Sequence, residues 1–137
     1  MPAMLNLEII TPRRLLVSEE VEMVEARGDY GEFGILPGHI KFLTTLDIGE
    51  IRYMKDGKTK HLSTSGGFGE VVDDKVTFLV DTAEFADEID VERSKKIADW
   101  AESSLKDISS DSAEYKMFEY ALLRAVARIS VASARKI

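Results

Sequence analysis

Between Ala83 and Ser94 (A-E-F-A-D-E-I-D-V-E-R-S) the spacing of apolar residues changes. Before this stretch they recur at every second position; after it they recur every three or four. A period of two belongs to strands and a period of 3.6 to helices. The chain must therefore divide into a β half and an α half that meet here. Asp90 occupies an N-cap position, and Glu92 follows in the first turn, where a negative charge suits the helix dipole. The stretch also carries a dense set of charged groups, which makes it a candidate hinge as well as a join.

At 137 residues the chain has room for one compact domain, or one with an appendage, but not for two large cores. Its net charge of −7 argues against general nucleic-acid binding through the phosphate backbone. Cysteine is absent, which excludes disulfides, thiol nucleophiles and thiolate metal sites. With only His39 and His61, a histidine metal site is not expected either. Met1 to Met4 does not combine a basic region with a long apolar run, so neither a signal peptide nor a membrane span is expected. The expected location is cytoplasmic, with any membrane association made through another protein.

In the N-terminal half, Leu5 to Ile9 alternates and stops at Pro12, as a half-buried strand does. Leu15 to Val17 and Val21 to Ala26 are further strand candidates. Ile51 to Met54 and Thr59 to Thr64 flank Lys55-Asp56-Gly57-Lys58, a strong hairpin signal, and Asp73-Asp74 joins a second pair of strands. Val76, Phe78 and Val80 share one face, which should point inward. Short strands at this spacing predict an antiparallel sandwich or barrel over about residues 1–85. Gly31 to His39 (G-E-F-G-I-L-P-G-H) reads as tight-turn chemistry. Ser63 to Gly69 has the glycines of a phosphate loop without its Lys-Ser/Thr ending, and strand follows it. It is expected to be a strand whose glycines mark a bulge or a close backbone approach.

In the C-terminal half, Ser94, Ile97, Ala98, Ala101, Leu105 and Ile108 fall on one face of a helix from about Asp90 to Asp107. Asp111 followed by Glu114 resembles a capping box opening a second helix. Phe118, Ala121, Leu122, Ala125, Ile129 and Ala132 form its stripe, giving an antiparallel helical hairpin. The contact faces are rich in alanine and serine and bury little apolar area, so the hairpin is expected to detach or open locally with ease. No acidic residue follows Glu119, and Arg124, Arg128 and Arg135 share a face. That basic stripe suits either solvent near a helix C-terminus or an acidic or polyphosphate partner. No nucleophile elbow, metal spacing or paired catalytic carboxylate is present, so a non-enzyme is expected.

At Gly31–His39 and again at Ile89–Ser94 the sequence resembles the epsilon subunit of bacterial F-type ATP synthases, and the likeness runs over nearly the whole chain. Such chains carry a G-E-x-G-I-x-P-G-H-type loop and an I/L-D-x-x-R-A segment opening a two-helix hairpin. This chain departs by having Ile40-Lys41 after the loop histidine, where many relatives have Ala-Pro, and Ser94 where the motif has alanine. The fold implied is α+β: a ten-stranded antiparallel β-sandwich over 1–85 and a C-terminal antiparallel two-helix hairpin over 86–137. The function implied is that of a non-catalytic subunit of the rotor's central stalk at the cytoplasmic membrane face. Its partners would be the gamma subunit and the c-subunit ring, with Glu32 and His39 at positions that face the c ring in relatives. The hairpin, when extended, would inhibit ATP hydrolysis, its Arg124, Arg128 and Arg135 meeting an acidic segment of the beta subunit. No cofactor or metal is required, but some relatives bind regulatory ATP. The matched positions are Glu84, Ile89, Asp90, Arg93, Ser94 and Arg128. Arg93 and Arg128 would offset phosphate charge, Glu84 and Asp90 accept from adenine N–H groups, and Ile89 pack on the ring. The local alternative makes Asp90 an N-cap, Arg93 its ion-pair partner and Ile89 a staple. Rival functions are a free-standing ATP-sensing module and a sandwich adaptor for an acidic protein.

Overall fold

The computed structural model describes residues 3–134, and in it the change of period becomes a change of architecture. The β half comprises β1 (Leu5–Ile10), β2 (Leu15–Val21), β3 (Met23–Gly28), β4 (Gly31–Ile35) and β5 (Phe42–Leu46). It continues with β6 (Gly49–Lys55), β7 (Lys58–Thr64), β8 (Gly67–Val72), β9 (Lys75–Val80) and β10 (Ala83–Phe85). They form two five-stranded sheets, in the orders β2-β1-β9-β8-β5 and β10-β7-β6-β3-β4. A single 3-10 turn, Ala86–Glu88, leads into α1 (Val91–Lys106) and α2 (Ala113–Ala134).

Alternation builds the core. Leu5, Leu7 and Ile9 of β1 are fully buried, and Val76, Phe78 and Val80 of β9 point into the same interior, as their spacing predicts. Both hairpin signals hold. Asp56 and Gly57 take left-handed conformations (φ 52° and 74°), as a two-residue turn between twisted strands requires. Asp73 and Asp74 do the same at φ 48° and 62°, a conformation that aspartate tolerates through local hydrogen bonding. The glycine-rich stretch is a close approach of backbones rather than a phosphate loop. A Cβ on Gly67 would collide with the Leu79 carbonyl oxygen, and one on Gly69 would sit 2.9 Å from the Phe78 ring.

The expected ten-stranded sandwich is present, antiparallel except where β1 runs parallel to β9; the two strands are far apart in sequence, so no tight turn dictates their direction. Three local expectations are corrected. Gly31–Ile35 is not a turn but β4, paired with β3 from Gly28↔Gly31 to Val24↔Ile35. Its glycines hid the alternation that turns Ile35 into the core. Val21 closes β2 instead of opening β3, and the unforeseen β5 pairs with β8. At the second helix, Ser112 and not Asp111 is the cap, its Oγ accepting from the Glu114 amide at 3.2 Å.

A strut joins the two sheets, from the edge strand β2 to the central strand β6. Tyr53 of β6, buried in the core, donates its hydroxyl to Glu19 Oε2 of β2 at 3.0 Å, and Lys55 Nζ reaches Glu19 Oε1 at 3.3 Å. Burial, reinforced by the Glu19 carboxylate, pushes the Tyr53 phenol well above its ordinary range. The folded state therefore holds this proton more tightly than the unfolded chain. That contribution to stability is complete below the unfolded phenol pKa of about 10 and is lost as pH rises above it. Tyr53→Phe should flatten the fall in stability between pH 10 and 12, measured by urea unfolding. At Gly67 the obstacle is backbone, which cannot swing aside. Gly67→Ala should cost roughly 1–3 kcal/mol in the same assay.

Candidate functional site

The chain changes sheets between β9 and β10, and the crossing is fixed by hydroxyls. Thr64 Oγ1 donates to the Thr82 carbonyl (3.0 Å), the Thr82 amide donates to Ser65 Oγ (3.0 Å), and the Thr82 and Ser65 hydroxyls bond at 2.8 Å. β10 then pairs with β7 and sets Glu84 opposite Ser63, which in turn lies opposite Glu50 on β6. This row, Glu84–Ser63–Glu50, faces out of the sandwich. α2 lies over it: Ser63 is buried, and Arg128 Nε donates to Glu84 Oε1 at 2.8 Å. Beside it, Arg52 gathers Glu25, Glu32 and Glu50, and His61 Nδ1 lies 3.0 Å from Glu50. The Glu50 hydrogen bond, outweighing partial burial, holds the Arg52 guanidinium firmly charged.

A cleft of about 820 Å³ opens where the β1–β2 turn, β10 and the start of α1 converge under Arg128. Five of the six candidate residues line it: Glu84, Asp90, Arg93, Ser94 and Arg128. Ile89 does not. It is buried with Ala86, Val131 and Ala132 in a small apolar cluster that is separate from the sandwich core. Asp90 is the N-cap of α1, its carboxylate accepting from the Arg93 amide at 3.0 Å. The expected cap is present, but Asp90 meets Arg93 only through that amide, with no ion pair between the two side chains. Ser94 is buried, and its hydroxyl donates to the Asp90 carbonyl at 2.9 Å, so the extra oxygen is satisfied within the first turn.

The basic stripe divides. Arg128 is held by Glu84, whereas Arg124 lines a neighbouring groove of about 730 Å³ with Asp47, Asp81 and Tyr120. Arg135 lies outside the described residues. Glu32 is exposed on β4 and bridges to Arg52 at 3.6 Å. His39 sits in the β4–β5 loop, its Nδ1 2.7 Å from the Ile40 carbonyl, and that loop is pinned by the Gly38 amide donating to Asp74 Oδ1 at 2.7 Å.

Arg13 and Arg14 of the β1–β2 turn line the cleft and escaped the sequence reading, as did Asp81. Pro12 had marked only a strand end. The available signal was Thr-Pro-Arg-Arg between two alternating segments, which places two cations at a hairpin tip.

The fold and cleft define a class: a sandwich subunit with a helical arm and no assembled catalytic constellation among the described residues. Comparison with known proteins makes this specific. Residues 4–86 match the family model described as "ATP synthase, Delta/Epsilon chain, beta-sandwich domain", and residues 87–133 match the corresponding long alpha-helix domain. The "ATP synthase epsilon chain" of Geotalea uraniireducens is 49% identical over 129 residues, covering 94% of each chain. That of Geobacter metallireducens is 50% identical over 128 residues, covering 93% of each. A chain of the Euglena gracilis mitochondrial ATP synthase, from a structure of its OSCP, F1 and c-ring, superposes with a TM-score of 0.81 at 28% identity. That superposition covers 93% of this chain and 80% of the other. The chain belongs to the ATP synthase delta/epsilon family. It is a non-catalytic, epsilon-type subunit of the synthase stalk.

The cap makes a separable prediction. Asp90→Ala should lower stability by about 1 kcal/mol and speed hydrogen exchange at the Arg93 amide, whereas Asp90→Ser should largely preserve both.

Proposed function

We propose that the sandwich couples rotation by docking on the gamma subunit and c ring at the cytoplasmic membrane face, and that the hairpin is a mobile brake on ATP hydrolysis. The observation that carries this reading is the contrast between the two outer sheet faces. The outer face of the first sheet bears an uncovered apolar row: Phe68 pairs with Leu79, Leu79 with Ile10, and Leu43 lies diagonal to Phe68. Leu43 is 73% exposed, Phe68 59% and Leu79 52%. Such a patch fits a permanent subunit contact. No described helix is long and apolar enough to cross a membrane, so membrane attachment would run through those partners.

The outer face of the second sheet is covered only by the chain's own hairpin, and on weak terms. The seat is polar, the accompanying apolar cluster is small and largely alanine and valine, and the joining ion pair is half-exposed. An exposed pair of this kind is worth only about 0–1 kcal/mol. The hairpin's own seam, with Trp100 and Phe118 edge to face at 5.0 Å, would travel with it. Release would free Arg124 and Arg128 for an acidic segment of the beta subunit. It would also uncover Glu84, Asp90, Arg93, Ser94 and Arg128 as separate groups, so a nucleotide held in the cleft would favour the folded form through its differential affinity alone.

The test is reconstitution of an epsilon-depleted synthase with the full chain or with a chain ending at Glu88. Both should bind gamma and restore coupling, but the shortened chain should raise ATP hydrolysis several-fold at low ATP. Equal hydrolysis rates would remove the brake from this reading, and failure of both chains to bind gamma would remove the docking face.

A further inference from the structure

We infer that the β1–β2 turn is the phosphate-reading wall of the cleft: Arg13 and Arg14, with Arg93, take the polyphosphate tail of a nucleoside triphosphate and thereby tie α1 to the sandwich. This rests on the cleft being a nucleotide site, and it assigns residues outside the hairpin motif to the ligand.

Charge is the first ground. The cleft gathers four arginines from three places in the fold, the β1–β2 turn contributing two and α1 and α2 one each, against the three carboxylates of Asp81, Glu84 and Asp90, in a chain of net charge −7. Arg128 is engaged by Glu84, but among the described residues Arg13, Arg14 and Arg93 have no ion-pair partner. Unpaired like charges around one concavity repel each other unless an anion joins them, and guanidinium forks match phosphate oxygens bidentately. Several such groups around one cleft suit a chain of phosphates better than a single carboxylate. The volume also falls within the range of small-molecule sites, roughly 300–1,000 Å³.

Rigidity is the second. Thr11 and Arg14 exchange backbone hydrogen bonds at 2.9 and 3.2 Å, and Thr11 Oγ1 accepts from the Arg13 and Arg14 amides at 3.3 Å each. The two arginines therefore project from a closed turn, which reduces the ordering cost of binding. The helix end cannot substitute for them, because the Asp90 carboxylate already occupies the Arg93 amide at the start of α1.

Placement is the third. α1 packs chiefly on α2, and it is α2 that packs on β6 and β7. A polyphosphate spanning Arg93 and the β1–β2 turn would give α1 a direct tie to the sandwich. The number of phosphates, and not the base alone, would then set how firmly the hairpin stays folded.

The experiment is calorimetric titration of the full chain with ATP, ADP, AMP and inorganic tripolyphosphate. The variants are Arg13→Ala/Arg14→Ala and a charge-matched control, Lys58→Ala/Lys60→Ala, on the exposed end of β7. The native chain should bind ATP more tightly than AMP, with tripolyphosphate competing. The arginine variant should lose on the order of tenfold in ATP affinity, with AMP little changed, and the control should behave as native. ATP binding by the native chain that is equal in the arginine variant and the control would overturn the role of the turn while leaving the nucleotide cleft standing. Absence of ATP binding by the native chain would overturn both.

Discussion

The hydroxyl cluster at Thr64, Ser65 and Thr82 is the joint on which the rest of this molecule depends. It holds the chain as it leaves the buried β9 of one sheet and enters β10 of the other. Three residues of pairing with β7 then suffice to fix everything downstream. They set Glu84 under Arg128, start the 3-10 turn that buries Ala86 and Ile89, and aim α1 across the mouth of the cleft. A strand this short is weak alone. Because Thr64 and Ser65 continue directly from β7, the crossing and the strand it positions reinforce each other.

Stability is correspondingly uneven. The sandwich interior is aliphatic and closed, with Leu5, Leu7, Ile9, Ile51, Leu62 and Phe78 fully buried. The hairpin adds a second, much smaller cluster and sits on glutamate and serine. Burial at about 25 cal/mol per Å² makes such a cluster worth a few kcal/mol at most, before the entropy of ordering two helices is subtracted. A free energy of that size can be reversed by a partner surface or a bound anion, whereas the sandwich cannot be opened by either. The same distribution of apolar area separates a closed sandwich body from a lightly seated helical arm.

What the sequence revealed follows from which interactions are local. Hairpins at Asp56-Gly57 and Asp73-Asp74, the cap at Asp90 and the extent of α1 depend on residues within a few positions of one another, and all were legible. β4 was not, because Gly31 and Gly34 carry little strand propensity and its pairing with β3 supplies what propensity lacks. The parallel β1–β9 pairing joins distant segments and leaves no local signature. The candidate site shows the same division. Glu84, Asp90, Arg93 and Ser94 lie close in sequence and line one cleft, but Ile89 is turned away by the pull of an apolar cluster that only α2 completes. Arg13 and Arg14 reach the cleft only because β1 lies beside β9, a fact of topology rather than of spacing.

Topology also explains why the arginines and carboxylates of the cleft can coexist in an acidic chain. Two of the three cleft carboxylates are already committed by the fold, Glu84 to Arg128 and Asp90 to the Arg93 amide; Asp81 is the third. The guanidinium groups of Arg13, Arg14 and Arg93 have no ion-pair partner among the described residues. Each of these groups sits on a different body from its counterpart across the cleft, the turn on the sandwich and Arg93 on the hairpin. Packing of the hairpin brings them to one cleft at some electrostatic cost. On the proposed reading, an anion held between the turn and Arg93 would offset that cost only in the folded form, and so would favour it.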